Sequence, residues 1–272
     1  MQFSAILLLE KQPSVTASQI QSELKRLAPH AVVGGWSGSS GLAVTPGAEL
    51  ISVNDEPLSV LDVPAPAEET IVERGHFANH IWPTVEADVA RHQAHILIAA
   101  ARNVVDRDAA LAQARAVTLL AAAVARLVPL IGIKWVDGSN SMDAVSFIKV
   151  TENIGQPGAN AVMLWVRVML CPEPSKGDQV KTIGGTMGLH FFGLMDLEYA
   201  AAPLEPRFIM QHAYATSEYL LRSGSSLQDG ETIGVEGESP GFTVSLASEG
   251  LFVPFPVARL SLGTGKKRWW KW

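Results

Sequence analysis

The sequence predicts an α+β protein in which mixed or antiparallel sheets pack against helices. Three observations carry that prediction. Apolar runs of strand length recur along the chain, helical spacing appears between some of them, and the two kinds of segment do not alternate strictly. Strict alternation would point instead to a doubly wound parallel sheet.

The first run, residues 5–10, is continuous and apolar and reads as a strand. Residues 14–28 follow with Ile20, Leu24 and Leu27 at helical spacing; Ser14 or Thr16 is placed to cap this helix and Pro29 to end it. Residues 31–36 read as a second strand. The rhythm returns with a strand at 96–99, an alanine-rich helix from about 107 to 127 and a strand at 130–135. Two similar β-α-β units therefore occupy the first half, and a ferredoxin-like duplication sharing one sheet accounts for them. Between them, residues 41–44, 49–53 and 58–63 have strand character, and Asn54-Asp55-Glu56-Pro57 has turn chemistry. Pro64-Ala65-Pro66 is a stiff crossing into residues 67–74, whose early glutamates suit a helix N-terminus.

Gly138-Ser139-Asn140-Ser141 reads as turn and cap residues before a helix at 142–151. A Pro/Gly break at 155–158 divides the chain into a first half, 1–154, and a second α+β half, 155–262, expected to pack into the same globular body. Residues 263–272 form a basic aromatic tail. In the second half, residues 161–170 are apolar enough for a central strand, and 188–199 supply another with Asp196 and Glu198 on one alternating face. Residues 207–221 read as a helix closed by Gly224, and 241–246 with 251–262 complete the sheet.

Composition narrows the class of protein. Of the 272 residues, 47% are hydrophobic and 18% charged, which suits a globular chain with an ample core. The net charge of −6 argues for solubility and against general attraction to nucleic acid or anionic lipid. Cys171 is the sole cysteine, so an internal disulfide is ruled out and a reducing cytoplasm is expected. The N-terminal residues lack the basic start and long apolar run of a signal peptide. The most apolar stretch, 109–130, is interrupted by Gln113, Arg115 and Arg126 and reads as a buried helix, not a membrane span.

The second half carries a familiar pattern. Phe192-Gly193-Leu194-Met195-Asp196-Leu197-Glu198-Tyr199, a helix ending in Tyr219-Leu220-Leu221, and Leu227-Gln228-Asp229-Gly230-Glu231-Thr232-Ile233-Gly234 together resemble the bacterial domain-of-unknown-function family 4261. Trp82-Pro83, the Arg91-to-Ile98 segment and the Pro64-Ala65-Pro66 crossing resemble that family's first half, so the likeness extends over roughly residues 1 to 262. The resemblance implies a shared fold and brings no catalytic residues with it.

Four of the seven histidines fall between residues 76 and 95. His76 and His80 are four apart, His92 and His95 three apart, and each pair shares a face if the local chain is helical. Together they define a candidate zinc or iron site, with Glu86 and Asp88 as further ligands or base. The structural alternative is stronger: each imidazole needs one hydrogen-bond partner, Gly75 breaks the first helix, and no His-Glu-x-x-His pattern is present. Asp196, Glu198, Asp229 and Glu231 define a candidate divalent-cation cluster, although a reverse turn at Asp229-Gly230 explains the latter pair. The glycines of 34–41 lack the Lys-Ser/Thr of a phosphate loop and read as a hairpin loop. Cys171 with His190 or His212 is a weak nucleophile candidate, since no helix follows it in sequence to activate the thiol.

Lys266, Lys267, Arg268, Trp269, Trp270, Lys271 and Trp272 end the sequence, and three tryptophans among four cations suit docking onto a partner or onto the chain itself. The combined expectation is a non-enzymatic cytoplasmic module that binds another protein, such as an immunity or accessory protein of a bacterial toxin or secretion locus, without a cofactor. Nucleic acid is not an expected partner, and a homo-oligomer is compatible with these features. The alternative is a metal-dependent hydrolase using His76, His80, His92 and His95.

Overall fold

The apolar run near the start of the chain becomes strand β1 (Ser4–Leu9), buried on both faces at the middle of a seven-stranded sheet. The computed structural model describes residues 2–35, 48–68, 82–173, 180–234 and 241–263. It divides into two compact units, Met1–Trp165 and Val166–Trp272, so the Pro/Gly break at 155–158 lies inside the first. Each unit has its own sheet, and the α+β class holds.

In the first unit, α1 (Ala17–Leu27) begins with a capping box in which Thr16 and Gln19 satisfy each other's backbone N–H groups. Strands β2 (Val33–Gly35), β3 (Glu49–Val53) and β4 (Glu56–Val63) follow, then α2 (Val85–Val89), β5 (Ala94–Ala100), α3 (Arg107–Ala125), β6 (Leu130–Trp135), β7 (Asn140–Asp143), α4 (Ala144–Val150) and α5 (Val162–Trp165). The sheet order is β2-β3-β4-β5-β1-β6-β7, and every pairing is antiparallel. Its centre, β4-β5-β1-β6, is the interleaved βαββαβ arrangement of ferredoxin-like folds. The expected duplication is therefore present. However, β4 rather than β2 is the return strand of the first unit, and β2 lies at the sheet edge.

The two faces of β1 are buried differently. α1 and α3 pack together, and Ile20 and Val124 approach Ile96, the partner of Leu7. Ile6 and Leu8, on the other face, join Trp82, Val85, Val89 and Ile131. Gly132 sits directly under Trp82, where an added Cβ would fall 2.3 Å from the indole Cη2. α3 is the one described helix long and apolar enough to cross a membrane, and most of it is buried inside the fold.

The second unit contains β8 (Arg167–Glu173), β9 (Lys181–Met187), a 3-10 turn (Leu189–Phe192), β10 (Asp196–Ala202), α6 (Pro206–Ser223), β11 (Thr232–Ile233), β12 (Phe242–Ala247) and β13 (Val257–Leu262). Their order is β11-β12-β13-β10-β9-β8, with β10 and β13 parallel and the other pairs antiparallel. α6 starts on Pro206 and ends at Gly224, whose left-handed φ of 68° closes it as expected.

Four predicted elements differ, the first being the strand expected at 251–262, which begins only at Val257 after a run of bends. The central strand expected at 161–170 splits into α5 and β8, because Asn140 Nδ2 donates to the carbonyls of Met163 and Leu164 and holds a helical turn there. β8 is an edge strand. The strand expected at 188–199 is broken by Gly188 and Gly193, both at positive φ, which bracket the 3-10 turn. The helix expected from residue 142 begins two residues later, after Asn140–Asp143 pair with β6. The strand at 41–44 and most of the helix at 67–74 lie outside the described residues.

Candidate functional site

Of the four clustered histidines, His92 and His95 lie in described residues and His76 and His80 do not. His92 follows α2, where its Nδ1–H donates to the Val89 carbonyl and its Nε2 accepts the Ala67 N–H at 2.8 Å. His95, in β5, donates from Nδ1 to the Ala65 carbonyl at 2.9 Å. The pair thus fastens the proline-rich crossing to the sheet. Both ring nitrogens of His92 are engaged, so a metal bond there would cost two hydrogen bonds. Asp88 is engaged as well. It accepts from Thr84 Oγ1, Trp82 Nε1 and Arg91, and these bonds, Thr84's first, hold its pKa below the usual aspartate value. Glu86 is exposed on α2.

The carboxylates of the second unit are likewise occupied. Asp196 opens β10 with no exposure. It accepts from Thr186 Oγ1 at 2.9 Å, from the backbone N–H groups of Gly188, Leu189 and His190, and from His190 Nδ1 at 2.6 Å. The 3-10 turn is wound around this one side chain. Glu198, also buried, accepts from Arg259 Nε at 2.6 Å and from the Leu251 N–H. Asp229 accepts the Leu246 N–H, and Glu231 the Gln228 N–H, across a turn with Gly230 at positive φ. The candidate cation cluster is not assembled: among the described residues no three His, Cys, Asp or Glu side chains gather at one point.

His190 is the exception that faces outward. Its side chain is 28% exposed, and with Nδ1 held by Asp196 its Nε2 has no hydrogen-bond partner among the described residues. Its ring lies 3.9 Å from Phe191 and 4.2 Å from Phe255, centroid to centroid. The loop between β12 and β13 folds Phe252 onto Gly185 and leaves Leu251 70% exposed. Met187, Phe252 and Phe255 pack partly buried on Met169, Val253 and Val257, and Met195 is 39% exposed after the turn. A half-buried aromatic surface thus surrounds an oriented imidazole. Sequence reasoning missed it because its parts come from three separate segments.

The face of the sheet under α6 is different. Tyr199 Oη and His212 Nδ1 share a 2.7 Å hydrogen bond, and Tyr199, Phe208 and Phe242 crowd the imidazole. Burial pushes the His212 pKa down to about 4 and raises those of Tyr199 and Tyr214. His212 Nε2, Tyr214 Oη and Ser217 Oγ have no hydrogen-bond partner among the described residues. With His190 held by Asp196 and His212 by Tyr199, neither forms a dyad with Cys171. Cys171 is exposed in a separate cleft of about 500 Å³, whose wall includes Glu205 and Pro206 at the start of α6. A helix N-terminus therefore does reach that cleft, though not from the sequence that follows the cysteine. The tail residues Lys266, Lys267, Arg268, Trp269, Trp270 and Trp272 lie outside the described residues.

No curated protein and no solved structure matches the chain. One family does, over a narrower stretch than residues 1 to 262, and that stretch runs from β9 into the turn after β12. It holds Asp196, Glu198, His190 and His212. Residues 185–248 match the family described as Domain of unknown function (DUF4261), and over that segment the chain resembles it.

Proposed function

We propose that this chain is a non-enzymatic protein-binding module of the cytoplasm. One observation carries the reading: in the segment matched to the family the buried acids are consumed by the fold, while apolar side chains from that segment and from the loop that follows it are exposed for contact. Asp196 and Glu198 are hydrogen-bonded within the fold, Phe191 and Phe255 lie against the His190 ring, and Met195 and Leu251 are exposed in the segments that adjoin these acids. Partly exposed aromatic and aliphatic groups on a rigid base are the usual core of a protein interface. The net charge of −6 favours a basic partner, whose capture would be steered electrostatically and weakened by salt. An immunity or accessory role beside a bacterial toxin or secretion system is the finer form of the proposal, by analogy with small acidic antidotes.

The test is photo-crosslinking in the producing cell from position 251, with position 145 in the first unit, 78% exposed, as the control. A discrete adduct with one protein from 251 and none from 145 is expected. Equal labelling from both positions would overturn the proposal. Stoichiometric metal in untagged protein, lost on His80→Ala, would turn the reading toward the metal-dependent hydrolase.

A further inference from the structure

A groove in the first unit shares no residue with the surface assigned above, and its ligand is argued independently of that reading. It lies beside the C-terminal ends of α1 and α3 and along α4. Arg26 and Leu27 come from α1, Arg126 caps α3, Val145, Ile148 and Lys149 come from α4, and Glu152 follows. Its volume of about 490 Å³ is in the range of small-molecule sites.

Val145, Ile148, Lys149 and Glu152 recur at helical spacing on one exposed face of α4, while Phe147 and the capping Thr151 are buried. β-branched side chains lose rotamer freedom in a helix, so neither burial nor helix propensity accounts for Val145 and Ile148 here. Arg26 and Lys149 stand in last helical turns, where a positive charge offsets the helix dipole. That accounts for the charges but not for the apolar strip beside them. Arg126 donates to the carbonyls of Ala122 at 2.7 Å and Ile148 at 3.3 Å, which fixes its guanidinium against α4. Burial lowers the Arg126 pKa; Glu23 counters this, Arg26 adds to it, and Glu152 counters it again. Glu23 is already bound to Arg26 through both carboxylate oxygens. Three cations against these two carboxylates leave the patch net positive in a chain of net charge −6.

We propose that this groove binds a small organic anion with an apolar body, of the class of medium-chain carboxylates. The carboxylate pairs with Arg126 and Lys149, and the chain lies along Leu27, Val145 and Ile148. Charge complementarity selects this occupant: an apolar strip with a net positive rim favours a chain carrying an anionic head and disfavours one carrying a cation. A small ligand also leaves position 145 silent in protein crosslinking.

The experiment is a calorimetric titration of the full-length chain with decanoate. It should bind at one site, about tenfold more tightly than hexanoate, since each methylene fully buried is worth about fourfold. Lys149→Glu should weaken binding about fivefold. Val145→Asp, at an exposed position in the first turn of α4, should weaken it about tenfold and leave the melting temperature unchanged. The absence of saturable decanoate binding would overturn the proposal, and so would binding that both variants leave unchanged. Decyltrimethylammonium binding as tightly as decanoate would overturn it too, because the rim would then not read charge. A dimer that Val145→Asp dissociates would assign the groove to a second copy and overturn it equally.

Discussion

α3 and α6 are the longest described helices, and each lies against one sheet, but they bury polar groups on different terms. α3 is apolar on almost every side, and its buried polar side chains are paired. Gln113 accepts the Phe3 N–H and donates to the Arg102 carbonyl, while Thr118 donates to the Ala114 carbonyl and accepts from Trp165 Nε1. α6 buries His212, Tyr214 and Ser217 with polar atoms left unpaired. A buried polar group without a partner works against the folded state, so α3 settles its buried polar side chains where α6 does not, although the first unit's sheet also holds one such atom among the described residues, Trp135 Nε1 in β6. Beside that deficit, the second unit holds Asp196 in a complete set of donors. Its stability should hinge on that carboxylate far more than on α6's polar face.

The largest effect expected from this contrast is at Asp196. Asp196→Ala removes the acceptor for Thr186, three backbone N–H groups and His190, leaving several buried donors unpaired. A loss of about 4 kcal/mol is expected in urea-induced unfolding. A loss below about 1 kcal/mol would place the turn's stability elsewhere.

Acid should act next, through α6. His212 has an ordinary pKa of 6.5 when unfolded and about 4 when folded, because burial disfavours the imidazolium. Above pH 6.5 both states are neutral there, and stability is unaffected. As pH falls from 6.5 toward 4 the unfolded state binds the proton first, so about 3 kcal/mol is lost across that window. The double variant Tyr199→Phe/His212→Leu should flatten that limb of the stability profile. An unchanged limb would remove His212 from the acid response.

The smallest effects sharpen the contrast through their sign. Thr118→Val in α3 removes two hydrogen bonds and strands the Trp165 indole N–H, and should cost about 2 kcal/mol. Ser217→Ala in α6 removes a hydroxyl that has no partner, and should stabilise by about 1 kcal/mol. Paired thermal melts decide it; two losses of equal size would mean that Ser217 is satisfied.

Much of the fold was legible because its signals are local. The strands at 49–53 and 130–135, the Thr16 cap and the Gly224 stop depend on short-range spacing and backbone chemistry. β9 has no local signal, because Lys-Thr-Ile-Gly-Gly-Thr-Met offers neither an apolar run nor apolar alternation. Its glycines are there for contact: a Cβ on Gly184 would meet Ile209 of α6 at 2.7 Å, and one on Gly185 would meet Phe252 at 2.5 Å. No spacing rule anticipates a strand pressed between a helix and a loop. The same holds for the site. Asp196 and Glu198 stood out as neighbours on one strand, but their partners, Thr186, His190 and Arg259, are set by the turn and by strand pairing. The histidine cluster drew attention by its density, whereas His92 and His95 serve to hold a loop.

The claim that the second unit presents a contact surface rather than a chemical centre is tested most directly by the adduct from position 251. It should be measured side by side in the wild type and in Met195→Asp, with melting temperatures taken on the same samples. A lost adduct with an unchanged melting temperature is the predicted result, because a carboxylate at the exposed position 195 repels the partner's apolar face without replacing any donor to Asp196. An undiminished adduct in Met195→Asp would contradict the account and move the partner's footprint off this surface.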